Sequence, residues 1–184
     1  MIRWCAIGDS FTYLNDHPDE TNHYVTKGYL SRTLDSLRAH GLDAELTNIG
    51  INGSTTRDWL TAPLVPADFY TILLGTNDWH SGIPLGTEED FSAARPGTIL
   101  GNLSHLIGRI RALSPEAKLL VMNPIERTDF VYLFDPFNNA PGSYAPEHGQ
   151  KLSDVAEAIY VTCARHKIPA LDLHKLCGVT PENA

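Results

Sequence analysis

The sequence predicts an α/β fold, a parallel five-stranded sheet with helices on both faces. Three observations carry this expectation. Short apolar runs alternate with segments of helical periodicity along the whole chain. The apolar runs end in Gly and polar residues, as strands do where they open onto loops. The 184 residues, 42% of them hydrophobic, suffice for one core. No repeat, low-complexity tract or composition shift divides them, so residues 1–184 read as a single domain.

The elements follow in order. In the stretch from Ile2, Cys5, Ala6 and Ile7 form a short apolar run, broken at Gly8 and followed at once by Asp9, Ser10 and Phe11. It reads as a strand whose carboxyl end delivers a hydroxyl to the edge where open α/β sheets bind ligands. Asn15 to Asn22 is polar and reads as a loop. Tyr24 to His40 predicts a helix, with Leu30, Leu34 and Leu37 on one face and Gly41 as its stop. Ala44 to Ile49 is the second strand. Asn48-Ile-Gly50-Ile-Asn-Gly53 is then a turn, with Ser54 or Thr55 capping a following helix.

Asp68 to Leu74 is the third strand and ends in Gly75-Thr76-Asn77-Asp78. A loop rich in Gly and Pro runs to about Gly97. Ile99, Leu100, Leu103, Leu106, Ile107, Ile110 and Leu113 fit a helical period, and Ser114-Pro115 ends it. Lys118 to Met122 is the fourth strand. Asn123 to Glu147 is a long segment with Phe130, Tyr132, Phe134, Phe137 and Tyr144 among Pro, Asn and Gly. Loops of this length in a compact domain are usually functional, and a lid or substrate wall competes here with simple surface packing. Leu152, Val155, Ala156, Ile159 and Cys163 define the last helix, and Ile168 to Leu173 the fifth strand.

The formal net charge of -8 and the pI of 5.4 argue against a nucleic-acid partner. No apolar run is long enough for a membrane span. A strand beginning at residue 2 leaves no room for a leader, which predicts a cytoplasmic protein, or a periplasmic or secreted one after trimming. Cys5, Cys163 and Cys177 are odd in number and scattered, so neither disulfides nor a zinc site is expected. No pair of histidines has ligand spacing on one helix face, so no metal is expected.

Three strand ends carry the chemistry. A serine alone is a poor nucleophile; it needs a base for its proton and donors for the oxyanion formed on attack at a carbonyl. Ser10 supplies the hydroxyl and a backbone N–H. Gly53 supplies a backbone N–H with no side chain in the way, and Asn77 a side-chain amide. One hydroxyl with converging donors describes an acyl-transfer site. Each group also has a plainer reading. Ser10 and Asn77 could cap helices, Gly53 could be a turn glycine, and Asp9 and Asp78 could brace their loops.

Gly8-Asp9-Ser10, Asn48-x-Gly50-x-x-Gly53 and Gly75-Thr76-Asn77-Asp78, in this order, resemble the SGNH (GDSL-type) hydrolase family over nearly the whole chain. The resemblance implies a flavodoxin-like three-layer α/β/α sandwich and hydrolysis of small-molecule esters without a cofactor. It implies Ser10 as nucleophile and oxyanion donor, with Gly53 and Asn77 as further donors. Asp9, Asp78 and Tyr144 are then candidates for substrate contact. No G-x-S-x-G elbow points to the α/β-hydrolase alternative. The family also carries a D-x-x-H motif near its C-terminus that supplies the base and its orienting acid, and none occurs here. Asp172-Leu-His174 has the wrong spacing. The expectation is a chain lacking its C-terminal segment, with base and acid beyond Ala184 and with little activity of its own.

The eight histidines offer no better base. His40, His105 and His166 read as surface residues and His148 as a helix start. His17, His23, His80 and His174 lie near strand ends or loops. Acylated sugars, short-chain esters and lysophospholipids all remain candidate substrates, and the acidic pI slightly favours a small acyl group. Two rivals keep the same fold: a non-catalytic carbohydrate- or ligand-binding module, and an acyltransferase. A nucleotide binder would need a phosphate-cradling turn with a following Lys, which is lacking.

Overall fold

The computed structural model describes residues 1–22, 24–126 and 150–179. Its strands are β1 (Ile2–Gly8), β2 (Ala44–Asn48), β3 (Phe69–Leu73), β4 (Lys118–Met122) and β5 (Ala170–Leu171). They form one all-parallel sheet in the order β2-β1-β3-β4-β5. The longer helices are α2 (Tyr29–Ala39), α5 (Ile99–Leu113) and α6 (Leu152–Arg165). Short helices follow strand ends or sit in loops: α1 (Ser10–Tyr13), α3 (Thr76–His80), α4 (Glu88–Ser92) and α7 (Leu173–Leu176).

Alternation along the strands builds two cores, one on each face. Cys5, Ile7, Tyr70, Ile72, Leu119 and Val121 point into the larger, against Ile99, Leu103, Leu106 and Ile110 of α5 and Val155, Ile159 and Cys163 of α6. The four α5 residues are nearly inaccessible, and each such side chain contributes about 1.5–3 kcal/mol through burial. Trp4, Ala6 and Phe69 point the other way, against Leu30, Leu34 and Leu37 of α2. Beside α2, this second face carries a groove of about 820 Å³ lined by Leu73, Leu120, Met122, Leu171 and Phe11, among others.

The register fixes where the strand ends lie. Gly8 pairs with Leu73, Leu73 with Met122 and Met122 with Leu171, so four strands finish in one row. From β1 the chain crosses to β2 on one side, then to β3 on the other. The point of reversal, between β1 and β3, is where such sheets open a crevice.

The sequence-predicted helix at Tyr24 begins five residues later. Gly28 is its N-cap, and the Ser31 N–H in its first turn donates to Asn15 Oδ1 at 3.1 Å, a cap supplied from the preceding loop. No helix follows Ser54 or Thr55. Asp58 accepts from the Thr55 N–H at 2.8 Å, and only the 3-10 turn Asp58–Leu60 forms. The loop expected up to Gly97 contains α3 and α4, the latter opened by a capping box between Thr87 and Asp90. The fifth strand has two residues where six were expected, because Asp172 caps α7 by accepting from the Lys175 N–H.

Candidate active site

Ser10 occupies the first turn after β1. Asp9 caps that turn, its Oδ1 accepting from the Phe11 N–H at 3.0 Å and its carbonyl from Thr12 and Tyr13. Gly8 makes the turn possible. A Cβ there would lie 2.8 Å from Thr12 Cβ and 2.9 Å from the Leu73 carbonyl oxygen. Ser10 is half-buried, and among the described residues no side chain hydrogen-bonds its hydroxyl.

The segment after β2 is drawn onto this turn. Asn48 donates to the Thr12 carbonyl and to Asp16, both at 2.8 Å, while its Oδ1 accepts from the Gly50 N–H at 2.9 Å. The Gly8 carbonyl accepts from the Ile51 N–H at 3.0 Å and from Ser54 Oγ at 3.2 Å. Trp59 Nε1 donates to Ser54 Oγ at 3.1 Å. Gly53 stands exposed at φ +73°, in the left-handed region that side chains disfavour.

The segment after β3 closes the arrangement. Asn77 Nδ2 donates to the Ser54 carbonyl at 3.0 Å, and Asn77 is half-buried. All three sequence-predicted segments are thus hydrogen-bonded through one residue, Ser54, to Gly8 on one side and Asn77 on the other. The turn residues Ser10 and Gly53 remain accessible.

Asp9 and Asp78, expected to contact substrate, are instead enclosed, at 1% and 0% exposure. Both Asp78 oxygens accept from the Thr56 N–H at 3.0 Å, and Oδ1 also accepts from the Thr56 hydroxyl. Asn102 Nδ2 donates to Thr56 Oγ1 at 3.0 Å, and its Oδ1 accepts from the Gly97 N–H at 2.8 Å. Burial pushes the Asp78 carboxyl up to about 6, against the opposing pull of the Thr56 hydrogen bonds. Tyr144, the remaining substrate candidate, and the lid at 130–144 lie outside the described residues, as do His23 and His148.

Sequence reasoning missed Thr56, Asn102 and Asn123. Asn102 lies on the buried stripe of α5, three residues from Ile99 and four from Leu106, and a polar residue in that stripe was the available signal. Asn123 ties the ends of β4 and β5 together. It donates to Asp172 at 2.8 Å and accepts from the His174 N–H at 3.1 Å.

His174 is engaged locally, by Glu126 Oε2 at 3.1 Å and the Pro124 carbonyl at 3.1 Å. His17 stacks on Tyr13, and His166 meets Glu88 at 2.6 Å. Among the described residues, no group of three or more His, Cys, Asp and Glu side chains could hold a metal ion. None of the described helices is long and apolar enough to cross a membrane.

The profile of the GDSL-like Lipase/Acylhydrolase family matches residues 6–184. The chain belongs to this family. Several solved structures are similar to this family member. A possible lipase from Chitinophaga pinensis DSM 2588 is 39% identical over all of this chain and 70% of its own, with a TM-score of 0.84. A protein from Lactobacillus plantarum is 25% identical over 98% of this chain and 80% of its own, with a TM-score of 0.70. AlinE4, an SGNH-hydrolase family esterase, is 18% identical over 98% of this chain and 81% of its own; its TM-score of 0.58 speaks to the fold. No curated protein matches the chain. This GDSL-like sequence therefore has the fold expected of it, with each of the three motif segments at the carboxyl edge of the sheet.

Proposed function

We propose that this GDSL-like protein hydrolyses carboxylic esters of small molecules through an acyl-enzyme on Ser10. The observation that carries the reading is the pair of bonds at Ser54, whose carbonyl accepts from Asn77 and whose hydroxyl donates to Gly8. They hold a backbone donor, Gly53, and a side-chain donor, Asn77, on segments fastened to the Ser10 turn. The hydroxyl oxygen attacks the ester carbonyl carbon, and its proton passes to a base. The carbonyl oxygen takes up negative charge, which the N–H groups of Ser10, Gly53 and Asn77 stabilise. Collapse expels the alcohol, and water then releases the acid.

Neither His174 nor His17 is assigned as the base, since each is held by neighbours of its own.

A fluorophosphonate tests the assignment, because it phosphonylates an activated serine. The protein is expected to carry the label on Ser10, found by peptide mass spectrometry, and Ser10→Ala to lose both label and p-nitrophenyl ester hydrolysis. Ligand binding without label at Ser10 would instead identify a non-catalytic binding module.

A further inference from the structure

The residues next to one another at 77 and 78 grip the same neighbouring segment. Asn77 binds the Ser54 carbonyl, and Asp78 binds the N–H and hydroxyl of Thr56, two residues on. Asn102 holds the far side of the Thr56 hydroxyl, and α5 anchors Asn102. Asp78 and Asn102 are wholly buried, and Thr56 nearly so. Gly53 stands at the other end of this short segment, and a Cβ added there would meet nothing within 4 Å. The Gly53 N–H lies on the segment that these bonds anchor at Ser54 and Thr56.

We propose that Asp78 is a positioning residue for the oxyanion hole. Through Thr56 it locks residues 53–56 against α3, so that the Gly53 N–H and the Asn77 amide share one fixed geometry toward Ser10. The proposal rests on the ester-hydrolase reading for its consequence in catalysis, and on the Asp78–Thr56–Asn102 chain for its structural part. A preorganised donor contributes to the transition state only while its direction is held, so slackening of this segment lowers turnover more than substrate binding.

Asp78→Asn is close in shape and gives up one acceptor. Thr56→Val removes the hydroxyl that joins Asp78 to Asn102, and Thr56→Ser keeps it. Two readouts apply. Amide hydrogen exchange at Ser54 and Thr56, followed by NMR on residues 1–184, is expected to quicken at least tenfold in Asp78→Asn and Thr56→Val. Amides of the α5 core should remain unchanged. For p-nitrophenyl butyrate hydrolysis, kcat is expected to fall at least tenfold in both variants, with KM within about twofold. Thr56→Ser should recover most of what Thr56→Val loses.

Unchanged exchange at residues 54–56 in Asp78→Asn overturns the clamp. Quickened exchange with unchanged kcat overturns the positioning role. A raised KM with unchanged kcat makes Asp78 a binding residue and also overturns it. If Ser10→Ala matches the parent in hydrolysis, the ester-hydrolase reading fails by itself, and the exchange measurement still decides the clamp. Should Asp78→Asn fail to fold, the Thr56→Val and Thr56→Ser pair decides both parts.

Discussion

Asp78 is a carboxylate held wholly inside the protein. Its carboxyl titrates near 3.8 when free, and burial raises it to about 6 in the folded protein. Between pH 4 and pH 6 the folded state then holds more protons than the unfolded state, so stability falls as pH rises through that window. The displacement corresponds to roughly 3 kcal/mol, fully present below pH 4 and lost above pH 6. Asp78→Asn removes the ionisation and should flatten this part of the stability curve. Urea unfolding at pH 4 and pH 7 reads the difference, and an unaltered pH slope in the variant would count against the assignment. A second prediction concerns the thiols. Burial pushes Cys5 up to about 11 and Cys163 up to about 12, whereas Cys177 is partly exposed. A thiol reagent at pH 8 should modify Cys177 in the folded protein and reach the other two only on unfolding. Early labelling of Cys5 would show that β1 is not packed as described.

At the scale of elements, the helices with an uninterrupted apolar period were the easiest to read. Ile99 to Leu113 and the helix from Leu152 matched their expected starts, because four or more apolar residues on one stripe have only one face to bury. Thr98 starts α5 by accepting from the Gly101 N–H at 3.1 Å. Thr98→Ala should therefore cost about 1 kcal/mol in denaturant unfolding; no loss would mean that the cap is redundant. The elements that were misread depend on short-range polar contacts. Helix α4 is only five residues long and lacks a period, yet its Thr87-x-x-Asp90 capping box was visible in the sequence. The start of α2 depends on Asn15, 16 residues before the Ser31 whose N–H it accepts, and no local pattern reveals such a cap. Asp172 ends β5 for the same kind of reason, by turning its carboxylate onto the next helix.

At the scale of the molecule, the order β2-β1-β3-β4-β5 turns three short motifs, far apart in the chain, into one edge. The motifs themselves were legible, since Gly8, Gly53 and Asn77 follow apolar runs that could only be strands or buried turns. Their fastening was not. Thr56 and Asn102 become partners only when α5 packs across the sheet, and side-chain bonding over 46 positions leaves no trace in local pattern. The same assembly leaves an apolar groove beside α2. A hydrophobic dye should fluoresce on binding to residues 1–184, and Leu120→Asp should weaken this several-fold while the far-UV circular dichroism is unchanged. Dye binding that ignores Leu120 would place the apolar surface elsewhere.

The convergence of donors on Ser10 is tested most directly by a crystal structure of the phosphonylated protein. The account predicts a phosphonyl oxygen within about 3 Å of both Asn77 Nδ2 and the Gly53 backbone nitrogen. An adduct on Ser10 whose oxygens face solvent, with either donor directed elsewhere, would contradict it.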